Sequence, residues 1–270
     1  MKARLVAALL ACAAIHFAAP TFAQTNDAAR TTETIEVGQP LARLSLVQPA
    51  TRLYLRYKVV GDSRQTIDIW RRQVRFEQQD GKKRMHIAWR WDSVGERKFT
   101  STRDYWFEPD TFRPLTITRR LAEGDKTTVA GFQYLPDRIV GLADLPDNVR
   151  KDFLQAAKIA PYAFETDMEL LQALPLHSGY SVRIPFYEPG PNQPEPKLYT
   201  YSVTGSDKIS ATDGNAIECW IVETPSDSPE YGATRFWISK KTQVMIREET
   251  RLRDGSLFVK MLMTSDSDVG

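Results

Sequence analysis

The chain of 270 residues has only two cysteines and three histidines, and no surplus of either charge: 36 Lys and Arg stand against 34 Asp and Glu. Each shortage removes a class of function. The cysteines are Cys12 and Cys219, and Cys12 falls in an N-terminal segment that reads as a cleaved leader, so the rest of the chain has no intramolecular disulfide open to it. Its stability must come from a buried core, and a chain of this length buries about 70–75% of its unfolded surface. Beyond the leader the histidines are His86 and His177, and neither belongs to a ligand spacing such as H-x-x-x-H, which argues against a metal site. The leader takes Lys2 and Arg4 with it, leaving 34 basic against 34 acidic residues. A charge near zero argues against nucleic acid as a partner. After residue 19 no run is long and apolar enough to cross a membrane as a helix.

What is present begins with that leader. Lys2 and Arg4 precede an apolar run from Leu5 to Ala19, and "PTFA" (20–23) supplies small residues before Gln24. A charged start, an apolar middle and an A-x-A-like end are the parts of a signal peptide, cleaved near Ala23, and they point to a periplasmic or secreted product. "LLAC" (9–12) has the look of a lipobox, but the apolar run before it is short and "AAIHFAAP" stays apolar after it, against acylation of Cys12. Residues 24–50 are polar and small apart from "LARLSLV" (41–47) and read as a flexible or loosely docked leader.

From Leu53 the period changes to two. In "LYLRYKVVG" Leu53, Leu55 and Tyr57 alternate with Tyr54, Arg56 and Lys58, the mark of a half-buried strand. Asp80-Gly81 sits between two alternating runs and predicts a hairpin. In its second arm Met85, Ile87, Trp89 and Trp91 share one face, with Arg84, His86, Arg90 and Asp92 on the other. The first arm puts Ile67 and Ile69 out of phase with Trp70, Val74 and Phe76, which a bulge near 70–72 would repair. Residues 146–174 differ in kind: Asp147 is placed to cap a helix to about Ile159, and Thr166 or Asp167 to start a second through Leu170, Leu171 and Leu174. Strands then resume to the end, the last pair turning on Asp254-Gly255.

One phrase occurs twice. "YWFEPDTFRPLTITRRLAEG" (105–124) and "FWISKKTQVMIREETRLRDG" (236–255) align without a gap at an offset of 131, matching Trp106 with Trp237, Thr111 with Thr242, Arg120-Leu121 with Arg251-Leu252, and Gly124 with Gly255. Each copy reads as strand, tight turn and returning strand. A duplicated unit implies two similar halves that bury their faces against a shared centre. The predicted fold is therefore mainly β with a helical insert. It is a curved antiparallel sheet or half-open barrel, one domain over 51–270, with pseudo-repeated halves 51–140 and 176–270 around a helical connector at 146–174.

The aromatic-Trp-Ile-(x)₃-Thr phrase resembles the hairpin of periplasmic lipoprotein-carrier proteins, the LolA- and LolB-like fold, although Ser239 stands where that motif usually has Asp. The stretch from Leu174 to Thr250, with "LPLHSGYSVRIPFYEPG", "YSVTGSDKIS", "GNAIECWIVET" and "FWISKKT", is similar to an exported bacterial envelope family of unknown function. The resemblance implies an incomplete antiparallel barrel wrapped over a helical lid, with an apolar hollow between.

Candidate sites follow from these patterns. Cys219 shares parity with Ile217 and Ile221 and reads as a small buried hydrophobe. Ser178-Gly179 lacks a G-x-S-x-G setting. Glu165-Thr166-Asp167 reads as helix capping, and no carboxylate pair is placed by a motif, so a non-enzymatic role is expected, with no cofactor and no metal. The aromatic strand face suggests a groove formed by Met85, Ile87, Trp89 and Trp91 with Leu170 and Leu171, its ligand a lipid or lipoprotein acyl chain. Arg72, Lys82, Lys83 and Arg84, with neighbouring Arg71, Arg75 and Arg90, suggest a basic face for an anionic membrane surface, or simply a solvated strand face. The alternative expectation is an interaction module that pairs with an envelope partner through a sheet edge.

Overall fold

Residues 32–190, 195–210, 215–226 and 228–266 are described by the computed structural model; the predicted signal peptide lies outside them. The chain runs through β1 (Glu33–Thr34), β2 (Ala50–Val60), β3 (Ser63–Gln79), β4 (Lys82–Ser93), β5 (Thr100–Phe107), β6 (Pro114–Glu123), β7 (Lys126–Tyr134), β8 (Arg138–Gly141), β9 (Leu154–Ala156) and β10 (Tyr162–Ala163). Helix α1 (Asp167–Gln172) follows, then β11 (Ser181–Tyr187), β12 (Lys197–Ser210), β13 (Ala216–Thr224), β14 (Tyr231–Ser239), β15 (Met245–Leu252) and β16 (Leu257–Asp266). The strands pair in one curved, unclosed sheet, in the order β1-β11-β12-β13-β14-β15-β16-β2-β3-β4-β5-β6-β7-β8-β9, with β10 alongside β11.

Tight turns set the register. Asp80 and Gly81, at φ 52° and 72°, close the β3–β4 hairpin, and Gly255 at φ 84° helps close the last one. Both hairpins fall where the sequence predicted them. The long antiparallel run β11 to β16 returns to β2, so the first strand of the first half and the last strand of the second are hydrogen-bonded neighbours.

The repeated phrase is structural. In the first copy the Glu108 N–H donates to Arg113 O and the Phe112 N–H to Glu108 O; in the second the Ser239 N–H donates to Val244 O and the Gln243 N–H to Ser239 O. Each donor and acceptor is displaced by the same 131 positions. Phe112 and Gln243 take the same left-handed backbone, at φ 57° and 54°. The register slips beside both tryptophans, between Trp106 and Phe107 and between Trp237 and Ile238. The run β2–β7 thus corresponds to β11–β16. Trp106 stacks on His86 at 4.2 Å, and Trp237 donates to Asp207 with Arg247 over its ring.

The connector departs from expectation. Helix covers only α1, preceded by a 3₁₀ turn at Phe164–Thr166. The helix predicted from Asp147 to Ile159 is replaced by turns and the short edge strand β9. Asp147 sits at φ 57°, outside the α region. The Asn148 side chain bonds Gly131 N–H, Gly131 O and Leu142 O, so the segment is tied to β7 rather than to itself. Gly141 admits this close approach: a Cβ there would lie 2.0 Å from Arg150 O.

Residues 32–50 also differ from a loose leader. The Ile35 N–H donates to Arg183 O beside β11, the Arg43 N–H donates to Ala173 O, and Gln172 Nε2 donates to Leu46 O. Val47 is buried in the core. The weak apolar patch at 41–47 thus packs against the end of α1.

The structure gives the inner row of β2, which the alternation left open, and moves the bulge expected in β3. On β2 it is Arg52, Tyr54 and Arg56 that point with the inner row of β3, opposite Arg72, Trp70 and Asp68, while Leu53 and Leu55 lie on the outer side. No bulge occurs at 70–72; the irregularity lies at Arg56/Tyr57, opposite the Ile67 region. The interior accepts Asp68, Arg72 and Glu169 because they are paired, which a hydrophobic pattern does not register.

Candidate functional site

The predicted groove residues lie in the packed core. Met85, Ile87, Trp89, Leu170 and Leu171 are each at most 4% exposed, and Trp91 is partly buried against the same cluster. Helix α1 fills the hollow there. Burial of Leu170, Leu171 and Met168 against the sheet contributes roughly 1.5–3 kcal/mol each. The acyl groove expected at these residues is therefore closed by the element expected to cover it.

Arg72 leaves the predicted basic face altogether. It is 1% exposed, pairs through two guanidinium nitrogens with Glu169 of α1, and lies 3.6 Å over the Trp89 ring. Lys82 and Lys83 remain exposed at the β3–β4 turn, with Arg84 half-buried. Glu165 and Asp167 are not caps: no side-chain cap bond forms at either helical start. Glu165 pairs with Arg103 at 2.7 Å and accepts from the Tyr105 hydroxyl; Glu188 pairs with Arg119. The insert thus carries Glu165 and Glu169 inward onto cations of the sheet, and those cations lie over aromatic rings, Arg103 over Trp91 and Arg72 over Trp89.

Beside the filled region a cavity of about 330 Å³ remains inside the curve of the sheet. Aromatic walls come from Trp70 on β3, Phe164 before α1, Tyr201 on β12, Phe236 on β14 and Phe258 on β16. Its charged groups are mostly paired: Arg56 with Asp68, and Lys260 with Glu248 at 2.5 Å. Asp167 holds no ion pair among the described residues. Burial first, and then the nearby Glu248, push its carboxyl up to about 7, against the lowering pull of Lys260 and Arg72. Three residues of the lining also carry a polar atom buried away from the cavity without a hydrogen-bond partner: Trp70 Nε1, Tyr201 Oη and Thr224 Oγ1. Thr234 and Thr250 bond each other at 2.8 Å on the adjacent wall.

Sequence reasoning did not find this cavity. Its lining comes from β2, β3, α1 and β12–β16, and only the curvature brings them together. Trp70 carried the one available signal, as the third tryptophan of the hairpin whose Trp89 and Trp91 were singled out; it stacks on Trp91 at 4.6 Å. A larger apolar groove of about 700 Å³ lies elsewhere, over Ile217, Val244, Ile246 and Leu262. It belongs to the second apolar cluster, with Cys219, whose thiol burial pushes up to about 11. Among the described residues no three His, Cys, Asp or Glu side chains gather as a metal ion would require, and no helix is long and apolar enough to cross a membrane.

The model of the family described as "Protein of unknown function (DUF3108)" matches residues 53–264. The chain belongs to the DUF3108 family. The match spans both halves and the insert, well beyond the 174–250 stretch whose resemblance pointed to a family of unknown function. No curated protein matches the sequence. Among solved structures, a beta-barrel-like DUF1849 protein from Brucella abortus is similar over 82% of this chain and 98% of its own, at 10% identity and a TM-score of 0.51. A DUF1329 family protein from Desulfovibrio piger ATCC 29098 aligns over 84% and 88%, at 12% identity and a TM-score of 0.32. The first likeness supports the fold of this DUF3108 chain, a curved β-barrel-like sheet; the resemblance to lipoprotein carriers rests on the hairpin phrase alone.

Proposed function

We propose that this DUF3108 chain is a non-enzymatic, exported protein of the cell envelope that binds a small ligand in the cavity beside α1. The observation that carries the reading is the cavity itself, aromatic-walled and lined by strands of both halves of the sheet. A non-enzymatic role fits a cavity whose cations, Arg56 and Lys260, are already matched to carboxylates. The acyl-chain form of this reading needs a continuous apolar hollow, and the ion pair of Arg72 with Glu169 stands in that place, so a compact ligand fits better than a long chain.

Native mass spectrometry of the protein purified from its own host, followed by extraction, tests the reading. A stoichiometric small molecule, displaced in Thr234→Trp, which fills the cavity, is the expected result. Bound lipid that persists in that variant would move the site elsewhere, and an invariably empty protein would end the proposal.

A second reading has its own observation. Leu154 on edge strand β9 is 68% exposed, with Val149 at 59% and Ile159 at 45% nearby, a surface suited to strand addition by an envelope partner. Cross-linking in the host should then give an adduct that Ala156→Pro removes, since the Ala156 N–H faces the open edge while Gln155 bonds β8.

A further inference from the structure

One charged side chain around the proposed cavity is left over. Arg56 holds Asp68, Lys260 holds Glu248, and Arg72 holds Glu169 of α1. Asp167, the first residue of α1, lines the cavity, is half-buried, and makes no hydrogen bond or ion pair among the described residues. With these cations matched one to one, an ionised Asp167 leaves the site with a negative charge that no described side chain balances. We infer that the cavity takes a compact organic cation, an ammonium ion seated against Asp167; this rests on the reading of the cavity as the ligand site.

A carboxylate taken out of water is costly unless a counterion comes with it. Asp167 shows that cost in its acidity. Burial first, then Glu248, raise its carboxyl to about 7; Lys260 and Arg72 pull it down and Glu169 adds to the rise. Glu248 outweighs Lys260 in this balance, so the Lys260–Glu248 pair does not supply the missing counterion. The Tyr201 phenol on β12 also feels Asp167 and stays neutral, since burial pushes it well above its ordinary range. A bound cation favours the ionised carboxylate and becomes its partner. A neutral ligand leaves the acid protonated, and an anion meets a charge of its own sign.

Aromatic surface is open in the same cavity. Phe164, in the turn that leads into α1, is half-buried, and Tyr231 is 37% exposed; both line the cavity, and no described cation lies over either ring. Trp70, by contrast, is already taken up by Lys260, Arg56 and Trp91. A ring quadrupole attracts a cation held within about 6 Å of its face, which suits an ammonium beside a carboxylate. The volume, about 330 Å³, sits at the small end of the roughly 300–1,000 Å³ found for small-molecule sites and fits an ion of this size.

The test is isothermal titration of the full chain with choline, tetramethylammonium, ethanolamine and the neutral isostere of choline, in which carbon replaces the nitrogen. At least one ammonium is expected to bind, and the isostere to bind about tenfold more weakly or worse. Choline keeps its charge at every pH, so a change in its affinity reports on the protein. That affinity should fall by roughly a hundredfold from pH 8 to pH 5 as Asp167 takes up its proton. Asp167→Asn keeps the side-chain shape and should lose about tenfold or more at pH 8, with little pH dependence left, while thermal unfolding shows an intact fold. Equal binding of the isostere, or ammonium binding that Asp167→Asn leaves intact, overturns the inference. Hexanoate serves as an anionic control. If hexanoate or the isostere binds best and Thr234→Trp blocks it, the cation assignment fails and the cavity reading survives. If no probe binds, or Thr234→Trp changes the binding of none, both fail.

Discussion

Glutamine 243 occupies the place that Phe112 holds in the other half. Both sit at positive φ after an equivalent turn and both are 0% exposed, but Phe112 stacks on Phe107 at 4.6 Å while both amide atoms of Gln243 lack partners. Gln243→Met keeps the volume and removes the orphaned amide, so it is expected to stabilise by about 1–3 kcal/mol in urea unfolding. A loss of stability would mean that the amide bonds something essential. Asp167 gives a pH signature. Its carboxyl is raised in the fold, so the stability associated with it is present below about pH 4 and is lost as pH rises through about 7. Glu248, Lys260, Arg72 and Glu169 are the charges that act on it. Asp167→Asn should therefore gain on the wild type at pH 8, with the gain shrinking towards pH 4; a difference that stays constant across that range would refute the assignment.

At the scale of elements, α1 is a plug held by charge as well as by apolar contact. Glu169 and Arg72 are 2% and 1% exposed, so removing one leaves the other as a buried, uncompensated ion. Glu169→Ala is expected to cost about 3–5 kcal/mol in chemical denaturation, whereas Arg72→Met with Glu169→Leu should recover most of that loss. Additive losses in the double variant would show that the two side chains act independently. Glu165–Thr166–Asp167 read as helix capping and the inward turn of Glu165 and Glu169 was not legible, because their partners Arg103 and Arg72 lie 62 and 97 positions away.

For the whole molecule the seam between β16 and β2 decides cooperativity. It joins Leu257–Asp266 to Thr51–Val59, the two ends of the domain, and most other strand pairs are local hairpins. A chain ending at Gly255 leaves β2 and β15 as open edges and removes Lys260 from over Trp70. It should lose its single cooperative unfolding transition by circular dichroism and expose dye-binding apolar surface. Retention of a sharp transition would show that each half is stable without the seam.

Hairpins, alternation and the doubled phrase were legible along the chain because turn chemistry and the two-residue period act over a few residues; they were enough for a curved antiparallel sheet in two related halves. The burial of Arg72, the loss of the helix at 147–159 and the cavity beside Trp70 were decided only in three dimensions. Each depends on a partner far away in sequence: Glu169 for Arg72, Gly131 for Asn148, and the lining strands for one another. Burial of a charge is favourable only when its counterion arrives, and that arrival is a property of the closed fold.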